Sequence, residues 1–222
     1  DSVSNIRALD GQGSTPGGKE LIRAANARTH ELGALSIAED LKGWDGITKA
    51  TSAGGLGFDA QWDGFGYDVR AFPRRNALLT SSFTGWNNYM MDLGKMMADP
   101  EAMKHFGNTA VVWDLHTRKP KQVLDVPGAP LEIRCAWGAN HDYCFTTTAL
   151  TSKIWLLEAD AKGNWTSQAI ADIGDASKIP LPVDISISAD DKLLWVNTWN
   201  DGMTRLFDVS DPRKAKEIFT QK

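Results

Sequence analysis

A set of short alternating strands recurs between residues 67 and 222, and this repeat limits the possible folds more than any other feature. Each unit is predicted to contain four strands separated by turn residues. The third strands begin at 110, 153 and 205, which are 43 and 52 residues apart, and the fourth strands begin at 121, 165 and 216. A four-strand unit repeated at this spacing is typical of a β-propeller blade. The sequence therefore predicts an all-β fold with visible blades over 67–126, 131–170 and 183–221.

Three blades cannot close a ring, because propellers typically use four to eight. We therefore expect the chain to belong to a larger propeller that is completed by further blades or by another chain. Association of identical copies, giving a homo-oligomer, would be one way to complete it. A methionine-rich, partly helical insertion at 84–108 interrupts the first blade. Such an insertion is expected to project from one face of the blade, where binding loops gather.

The composition changes near residue 60. Residues 1–60 are rich in glycine and alanine and are predicted to be partly helical, whereas the strands lie in 61–222. One helix is predicted over Lys19–Leu32, because its apolar side chains share a face and Gly33 provides a stop. The stretch SIAE at Ser36–Glu39 has the pattern of a capping box and predicts a second short helix.

Charge and hydropathy exclude several classes of partner. Charged residues make up 23% of the chain and the net charge is -4, so nothing indicates binding to nucleic acid or to an anionic membrane. No window approaches eighteen consecutive apolar residues, so no segment is predicted to span a bilayer. The sequence begins with Asp1 and shows no signal-peptide hydrophobic region. We therefore expect a processed chain or a fragment.

One stretch is specific enough to indicate a family. The run PLPVDISISADDKLLWVNTWNDGMTRLFDVSDP, at 180–212, resembles the selenium-binding protein and methanethiol oxidase family, in which a closely similar run ends in D-[IV]-S-D-P. PLEIR at 130–134 and VVWDL at 111–115 resemble the same family, and the resemblance extends over about residues 67–222. Phe83 departs from the pattern, because many members have an acid there.

The resemblance implies a propeller of seven blades and an oxidase activity. Bacterial members of the family use copper to oxidise methanethiol with oxygen to formaldehyde, hydrogen sulfide and hydrogen peroxide, and they are typically periplasmic. The family's histidine-containing stretches lie in blades before and after the region present here. The resemblance therefore implies copper as the cofactor, with its ligands outside this chain, and a small thiol and oxygen as substrates.

Acidic residues occupy the second position of each inner strand. Asp68, Glu132 and Asp184 are expected to form part of a ring of carboxylates around the central channel, with Arg70 and Arg134 on the same strand faces. One interpretation is a catalytic channel mouth that positions a metal or its surroundings, or that relays protons, and in which the arginines keep the acids ionised. The alternative is that these charges only satisfy one another beside a solvated channel.

Five of the six methionines lie within the insertion. We expect Trp86, Met90 and Met97 to form a wall beside the substrate's path, because thioethers suit small apolar ligands such as a thiol. Two alternatives remain, which are simple packing under a lid and contact with Cu(I) through thioether sulfur.

The histidines do not form a convincing metal site. His30, His105, His116 and His141 are scattered and lack the spacing of paired ligands, and the last two lie in turns that we expect to be solvent-exposed. GSTPGGK at 13–19 fits the front of a phosphate-binding loop, which would suggest a propeller NTPase. The next residue is a glutamate where that motif requires Ser or Thr, so we interpret the match as coincidence.

Cys135 and Cys144 lie at similar distances from a predicted tight turn, which would make them a cross-strand pair. They would form a disulfide in an oxidising compartment, or remain two small buried thiols elsewhere. Neither is expected to act as a nucleophile, because Arg134, the basic residue next to Cys135, points to the opposite strand face.

The sequence thus predicts part of a copper-dependent, methanethiol oxidase-like propeller enzyme located in the periplasm. The rival hypothesis is a non-catalytic propeller that binds a selenium species or a protein partner.

Overall fold

The computed structural model describes residues 17–39, 46–62, 66–85, 88 and 91–222. The chain divides into two compact units, Asp1–Gly64 and Phe65–Lys222. Among the described residues, no helix is both long and apolar enough to cross a membrane.

The first unit contains one helix and a small parallel sheet. Its elements are α1 (Gly18–Glu31), β1 (Ile37–Glu39), a 3-10 turn (Thr51–Ala53) and β2 (Ala60–Trp62). Its core joins Ile22 of α1 to Ala38, Ile47 and Leu56, all of which are buried. The buried side chain of Asn26 donates a hydrogen bond to the Leu56 carbonyl (2.9 Å), which anchors α1 to the following loop.

The structure confirms one helix prediction in this unit and overturns the other. Helix α1 lies within one residue of the predicted bounds, and Gly33 follows it with a φ of 70°, which suits glycine. The helix predicted at Ser36–Glu39 is wrong, because Ile37–Glu39 forms β1 and pairs in parallel with Ala60–Trp62. Pairing with a distant segment outweighed the local capping pattern. The phosphate-loop match at 13–19 lies mostly outside the described residues.

The second unit consists of three four-stranded antiparallel sheets, each formed by consecutive strands. The first blade comprises β3 (Gly66–Phe72), β4 (Ala77–Ser82), β5 (Thr109–Asp114) and β6 (Pro120–Asp125). The second comprises β7 (Pro130–Cys135), β8 (Tyr143–Thr148), β9 (Lys153–Ala159) and β10 (Trp165–Asp172). The third comprises β11 (Pro182–Ile187), β12 (Leu193–Thr198), β13 (Thr204–Asp208) and β14 (Lys216–Gln221). The predicted propeller architecture is therefore confirmed.

Two apolar cores hold the blades together. The face of the first blade that carries Leu79 and Val112 packs on Ile133 and Leu157 of the second blade. The opposite face of the second blade then packs on the third blade through a separate cluster that includes Phe145. Alternation along each strand explains this arrangement, because successive side chains face opposite neighbours.

The insertion between β4 and β5 contains two short helices, α2 (Leu93–Ala98) and α3 (Pro100–Lys104). Asp92 caps α2 by accepting a hydrogen bond from the Lys95 amide (3.1 Å), and Asp99 caps α3 in the same way. Gly66, which begins β3, pairs with Ser82, which ends β4. The insertion that follows β4 therefore lies at the end of the blade where β3 starts.

The sequence left the state of the two cysteines open, and the structure joins Cys135 and Cys144 in a disulfide. They occupy directly opposite positions of β7 and β8. The bond closes the hairpin that carries the turn between these strands.

Replacing both cysteines with alanine is expected to lower the free energy of unfolding by about 2–3 kcal/mol, the loop-closure value for a bridge across nine residues. The denaturation midpoint of the full polypeptide measures this effect. Dithiothreitol should lower the midpoint of the wild-type protein and leave that of the double variant unchanged. A double variant as stable as the oxidised wild type would contradict the prediction.

Candidate functional site on the inner strands

The first strands of the three blades, β3, β7 and β11, pack side by side and carry the predicted acids. Asp68 lies on β3, Glu132 on β7 and Asp184 on β11. Arg70 and Arg134 follow the first two acids by two residues and return to the same strand face. The structure brings these five residues together, and we refer to them as the carboxylate–arginine cluster.

Arg134 is the centre of this cluster because it reaches an acid on each of the three blades. Its Nη2 lies 2.6 Å from Glu132 Oε2 and 3.8 Å from Asp184 Oδ1. Its Nη1 lies 3.4 Å from Asp68 Oδ2. The predicted ring of carboxylates is thus a compact group around one guanidinium.

Asp68 is buried and fixed on all sides. Its Oδ2 accepts a hydrogen bond from the Ile133 amide (2.8 Å), and its Oδ1 accepts one from the Val69 amide (2.8 Å). Arg70 Nη2 lies 3.2 Å from Oδ2, and Arg70 Nε donates to the Ile133 carbonyl (2.9 Å). These contacts join the first two blades, so Asp68 and Arg70 position the strand that carries Glu132 and Arg134.

The arginine charges oppose the effect of burial on the pKa of these acids but do not cancel it. Burial raises the pKa of Asp68, and the opposing hydrogen bonds and arginine charges do not fully offset it. Burial likewise raises the pKa of Glu132 to about 7, helped by a hydrogen bond with Asp184 and its negative charge, although Arg134 opposes the change. Desolvation therefore outweighs charge pairing at both carboxyls.

Glu132 and Asp184 form an acid pair in which Glu132 is half-buried and Asp184 is exposed to solvent. The Ile185 amide donates to Glu132 Oε2 (3.3 Å), and Asn197 Nδ2 donates to Asp184 Oδ2 (3.4 Å). The Asp184 side chain is 49% exposed, whereas that of Glu132 is 20% exposed. A carboxyl with a pKa near 7 can accept or release a proton at neutral pH, and Glu132 reaches the solvent-exposed Asp184 side chain.

An apolar layer covers the cluster on the side of the insertion. Tyr67, Leu131 and Val183, which immediately precede the three acids, pack in one cluster with Met96 and Phe106. Phe83, where many family members have an acid, contacts the rings of Tyr67 and Phe106 at centroid distances of 5.6 and 5.5 Å. An aromatic contact thus occupies the position where many family members have a carboxylate.

The methionines of the insertion have different environments. Met96 is buried in the apolar layer and serves packing, while Met97 is partly exposed and lines a cleft. The side chains of Trp86 and Met90 lie outside the described residues. The proposed wall beside the substrate's path therefore rests on Met97 among the predicted residues.

The described histidines take part in local contacts. His141 is exposed as predicted, but its Nδ1 lies 2.7 Å from Oδ2 of the buried Asp191. The same carboxylate accepts hydrogen bonds from the Trp137 and Gly138 amides, so it joins the turns of the second and third blades. Across the described ranges, no group of three His, Cys, Asp or Glu side chains is arranged to hold a metal ion.

Sequence reasoning missed two parts of the site. Asn197, which contacts Asp184, lies opposite it on β12 and could have been found from strand register. Ile179 and Leu181 line the same cleft as Met97. No sequence signal marked them, because a residue before proline is normally extended, whereas Ile179 and Leu181 have φ values of 45° and 61°.

Consecutive four-stranded blades, with a carboxylate–arginine cluster on their inner strands, define a β-propeller whose candidate site faces the axis. The family model described as 56kDa selenium binding protein (SBP56) matches residues 53–220. The chain therefore belongs to the selenium-binding protein family.

Three comparisons show how similar its relatives are. A methanethiol oxidase from Ruegeria pomeroyi is 63% identical over 161 residues, which make up 72% of this chain and 37% of that protein. A methanethiol oxidase from a Hyphomicrobium species is 61% identical over 160 residues, with the same shares of the two chains. The solved structure of a hypothetical selenium-binding protein from Sulfolobus tokodaii is 25% identical, with a TM-score of 0.60 over 71% of this chain and 38% of that one. The chain thus spans little more than a third of these relatives' length.

Proposed function

We propose that this chain is part of a propeller enzyme that oxidises methanethiol with molecular oxygen. The observation that carries this proposal is the 63% identity to the Ruegeria pomeroyi methanethiol oxidase over 161 residues. The carboxylate–arginine cluster gives the proposal a chemical basis, because its Glu132 carboxyl can exchange a proton near neutral pH.

The reaction that we propose consumes one methanethiol, one oxygen and one water, and releases formaldehyde, hydrogen sulfide and hydrogen peroxide. Two electrons and two protons leave the thiol. Molecular oxygen takes up the two electrons and the two protons and becomes hydrogen peroxide. Water then replaces sulfur on the oxidised carbon, so that the sulfur leaves as hydrogen sulfide. Proton transfer is needed at each stage.

We assign this transfer to Glu132, which accepts the proton from the thiol and exchanges it with Asp184 and solvent. Arg134 is a positioning residue, because it contacts both acids and orients them towards each other. Asp68 and Arg70 are also positioning residues, since their hydrogen bonds to Ile133 fix the strand between Glu132 and Arg134.

The proposed cofactor is copper, which would supply the electron transfer between thiol and oxygen. The described residues do not fit a copper site, because no three of their His, Cys, Asp or Glu side chains are arranged to hold a metal ion and Arg134 occupies the centre of the carboxylates. We therefore place its ligands in the remainder of the enzyme and derive no step of the reaction through the metal.

Two further parts of the proposal concern location and assembly. The Cys135–Cys144 disulfide favours an oxidising compartment, which supports a periplasmic location. On the third blade, Trp195 and Phe219 are 39% and 44% exposed and face away from the second blade. Further blades, or another copy of the chain, would cover this apolar surface.

The full polypeptide that contains this chain should consume oxygen when methanethiol is added. Formaldehyde, sulfide and hydrogen peroxide should appear in equal amounts, and metal analysis should find copper. Dimethyl sulfide is the matched control substrate, because it has a similar size but no S–H bond, and it should cause no uptake. A copper-free protein that shows no thiol-dependent uptake and still binds selenite would overturn the oxidase proposal and favour the selenium-binding rival, which the family description suggests.

A further inference from the structure

A cleft of about 330 Å³ lies beside the apolar layer that covers the carboxylate–arginine cluster. Met97, in α2 of the insertion, forms one wall, and Ile179 and Leu181, in the connection before β11, form the other. Lys178 and Asn200 contribute polar atoms to its lining. The cleft is therefore built from two segments that are far apart in sequence, and its walls are largely thioether and aliphatic.

The second wall has an unusual backbone that the neighbouring hairpin holds in place. Ile179 and Leu181 have φ values of 45° and 61°, a region that a β-branched residue such as isoleucine rarely adopts. Asn200 Nδ2 donates hydrogen bonds to the Lys178 and Ile179 carbonyls (both 3.1 Å). Strain of this kind persists where the surrounding structure enforces it, and it is found more often at sites that hold ligands.

The cleft borders the apolar layer that lies beside the candidate site. Leu181 and Val183 both pack against the apolar cluster that contains Met96 and Leu131. Leu181 precedes Asp184 by three residues, and an extended chain of that length spans at most about 10 Å. The wall residue Leu181 therefore lies within about 10 Å of the exposed member of the acid pair along the chain.

We propose that this cleft is the entry site for a small neutral thiol and that Met97 determines which thiols pass. This inference rests on the proposed oxidase function. A thiol such as methanethiol is uncharged at neutral pH and has an apolar methyl group, so it would favour thioether and aliphatic walls. Met97 suits this role because it is partly exposed, and because it faces a wall whose position the Asn200 hydrogen bonds fix.

The first test narrows the cleft in the full polypeptide. Met97→Trp should lower kcat/KM for methanethiol by about 10-fold or more and leave kcat at saturation within about twofold, because entry is hindered but the acid pair is intact. Lys95→Trp, on an exposed position of the same helix, is the matched control and should change neither constant.

A series of thiols gives the complementary test. The ratio of kcat/KM for methanethiol to kcat/KM for 1-propanethiol should fall about threefold in Met97→Ala, because the smaller side chain admits the larger thiol.

A second variant keeps the test valid if tryptophan prevents folding. Met97→Cys can be purified in its folded form and then modified with a bulky maleimide, which should reduce kcat/KM as Met97→Trp does. Modified Lys95→Cys and maleimide-treated wild type should keep their activity. If the wild type is active and the modified Met97→Cys protein matches it, the entry site is wrong while the oxidase function stands. If the wild type shows no methanethiol-dependent oxygen uptake, the oxidase function itself fails, and the entry site fails with it.

Discussion

Replacing Arg134 with methionine is expected to lower the free energy of unfolding by about 3–5 kcal/mol at pH 8, because it leaves the half-buried Glu132 carboxylate without its cation and removes one of the two cations beside buried Asp68. Arg134 contacts Asp68, Glu132 and Asp184, so one substitution affects all three blades. Asp68 keeps Arg70 and its amide donors, whereas Glu132 loses the cation that lowers its pKa. Denaturant titration of the full polypeptide, followed by tryptophan fluorescence, measures the loss.

The pH dependence separates this electrostatic effect from lost packing. Near pH 4.5 more of the carboxyl groups are protonated in both proteins, so the difference between variant and wild type should shrink. Lys153→Met is the matched control, because Lys153 pairs with Asp172 at 2.5 Å on the exposed surface. Its effect should be about 1 kcal/mol or less at either pH. An Arg134→Met loss as small as that of the control at pH 8 would show that the cluster does not depend on this guanidinium.

The sequence was sufficient to predict the blades because their stability follows from local pattern. Alternation of apolar and polar residues marks which side chains face a neighbouring blade, and turn residues mark where strands end. The predicted starts of the third and fourth strands differ from the structure by one residue at most. Repetition strengthened each assignment, since a pattern seen in three blades is less easily a coincidence.

The same local reasoning failed where a distant partner determines the conformation. Ser36–Glu39 has the composition of a helix start, but Ile37–Glu39 pairs with Ala60–Trp62. The backbone of β1 gains its hydrogen bonds from a segment more than twenty residues away. No local sequence pattern indicates which segment that will be.

The sequence predicted where the acids of the candidate site lie, but it did not predict their pKa values. Strand register placed Asp68, Glu132 and Asp184 together, because each occupies the same position of an inner strand. Their pKa values depend on burial under neighbouring blades and on backbone donors such as the Ile133 amide, which belongs to a different blade from Asp68. The cleft beside Met97 was missed in part for the same reason, because its two walls meet only when the first and third blades are in place.

Glu132→Gln is expected to reduce kcat/KM for methanethiol by about 100-fold or more, the effect of removing a general base. The wild-type enzyme should become more active as the pH rises through about 7, because Glu132 must lose its proton before it can accept one from the thiol. The glutamine variant should lack this rise. Glu101→Gln, at an exposed acid of the insertion, is the matched control and should keep both the activity and the pH profile.

The stability of the same variant gives a readout that does not depend on activity. The folded-state pKa of Glu132 is raised to about 7 from the ordinary value near 4.5, so between these pH values the folded state binds more protons than the unfolded state. The stability of the wild type relative to Glu132→Gln should therefore fall by on the order of 2 kcal/mol between pH 5 and pH 8. Thermal midpoints of both proteins across this range measure the change. If their difference were constant with pH, Glu132 would have an ordinary pKa and would be a poor proton acceptor at neutral pH. If instead the stability difference changed as expected while turnover stayed at the wild-type level, the acid pair would exist but would not take part in the reaction.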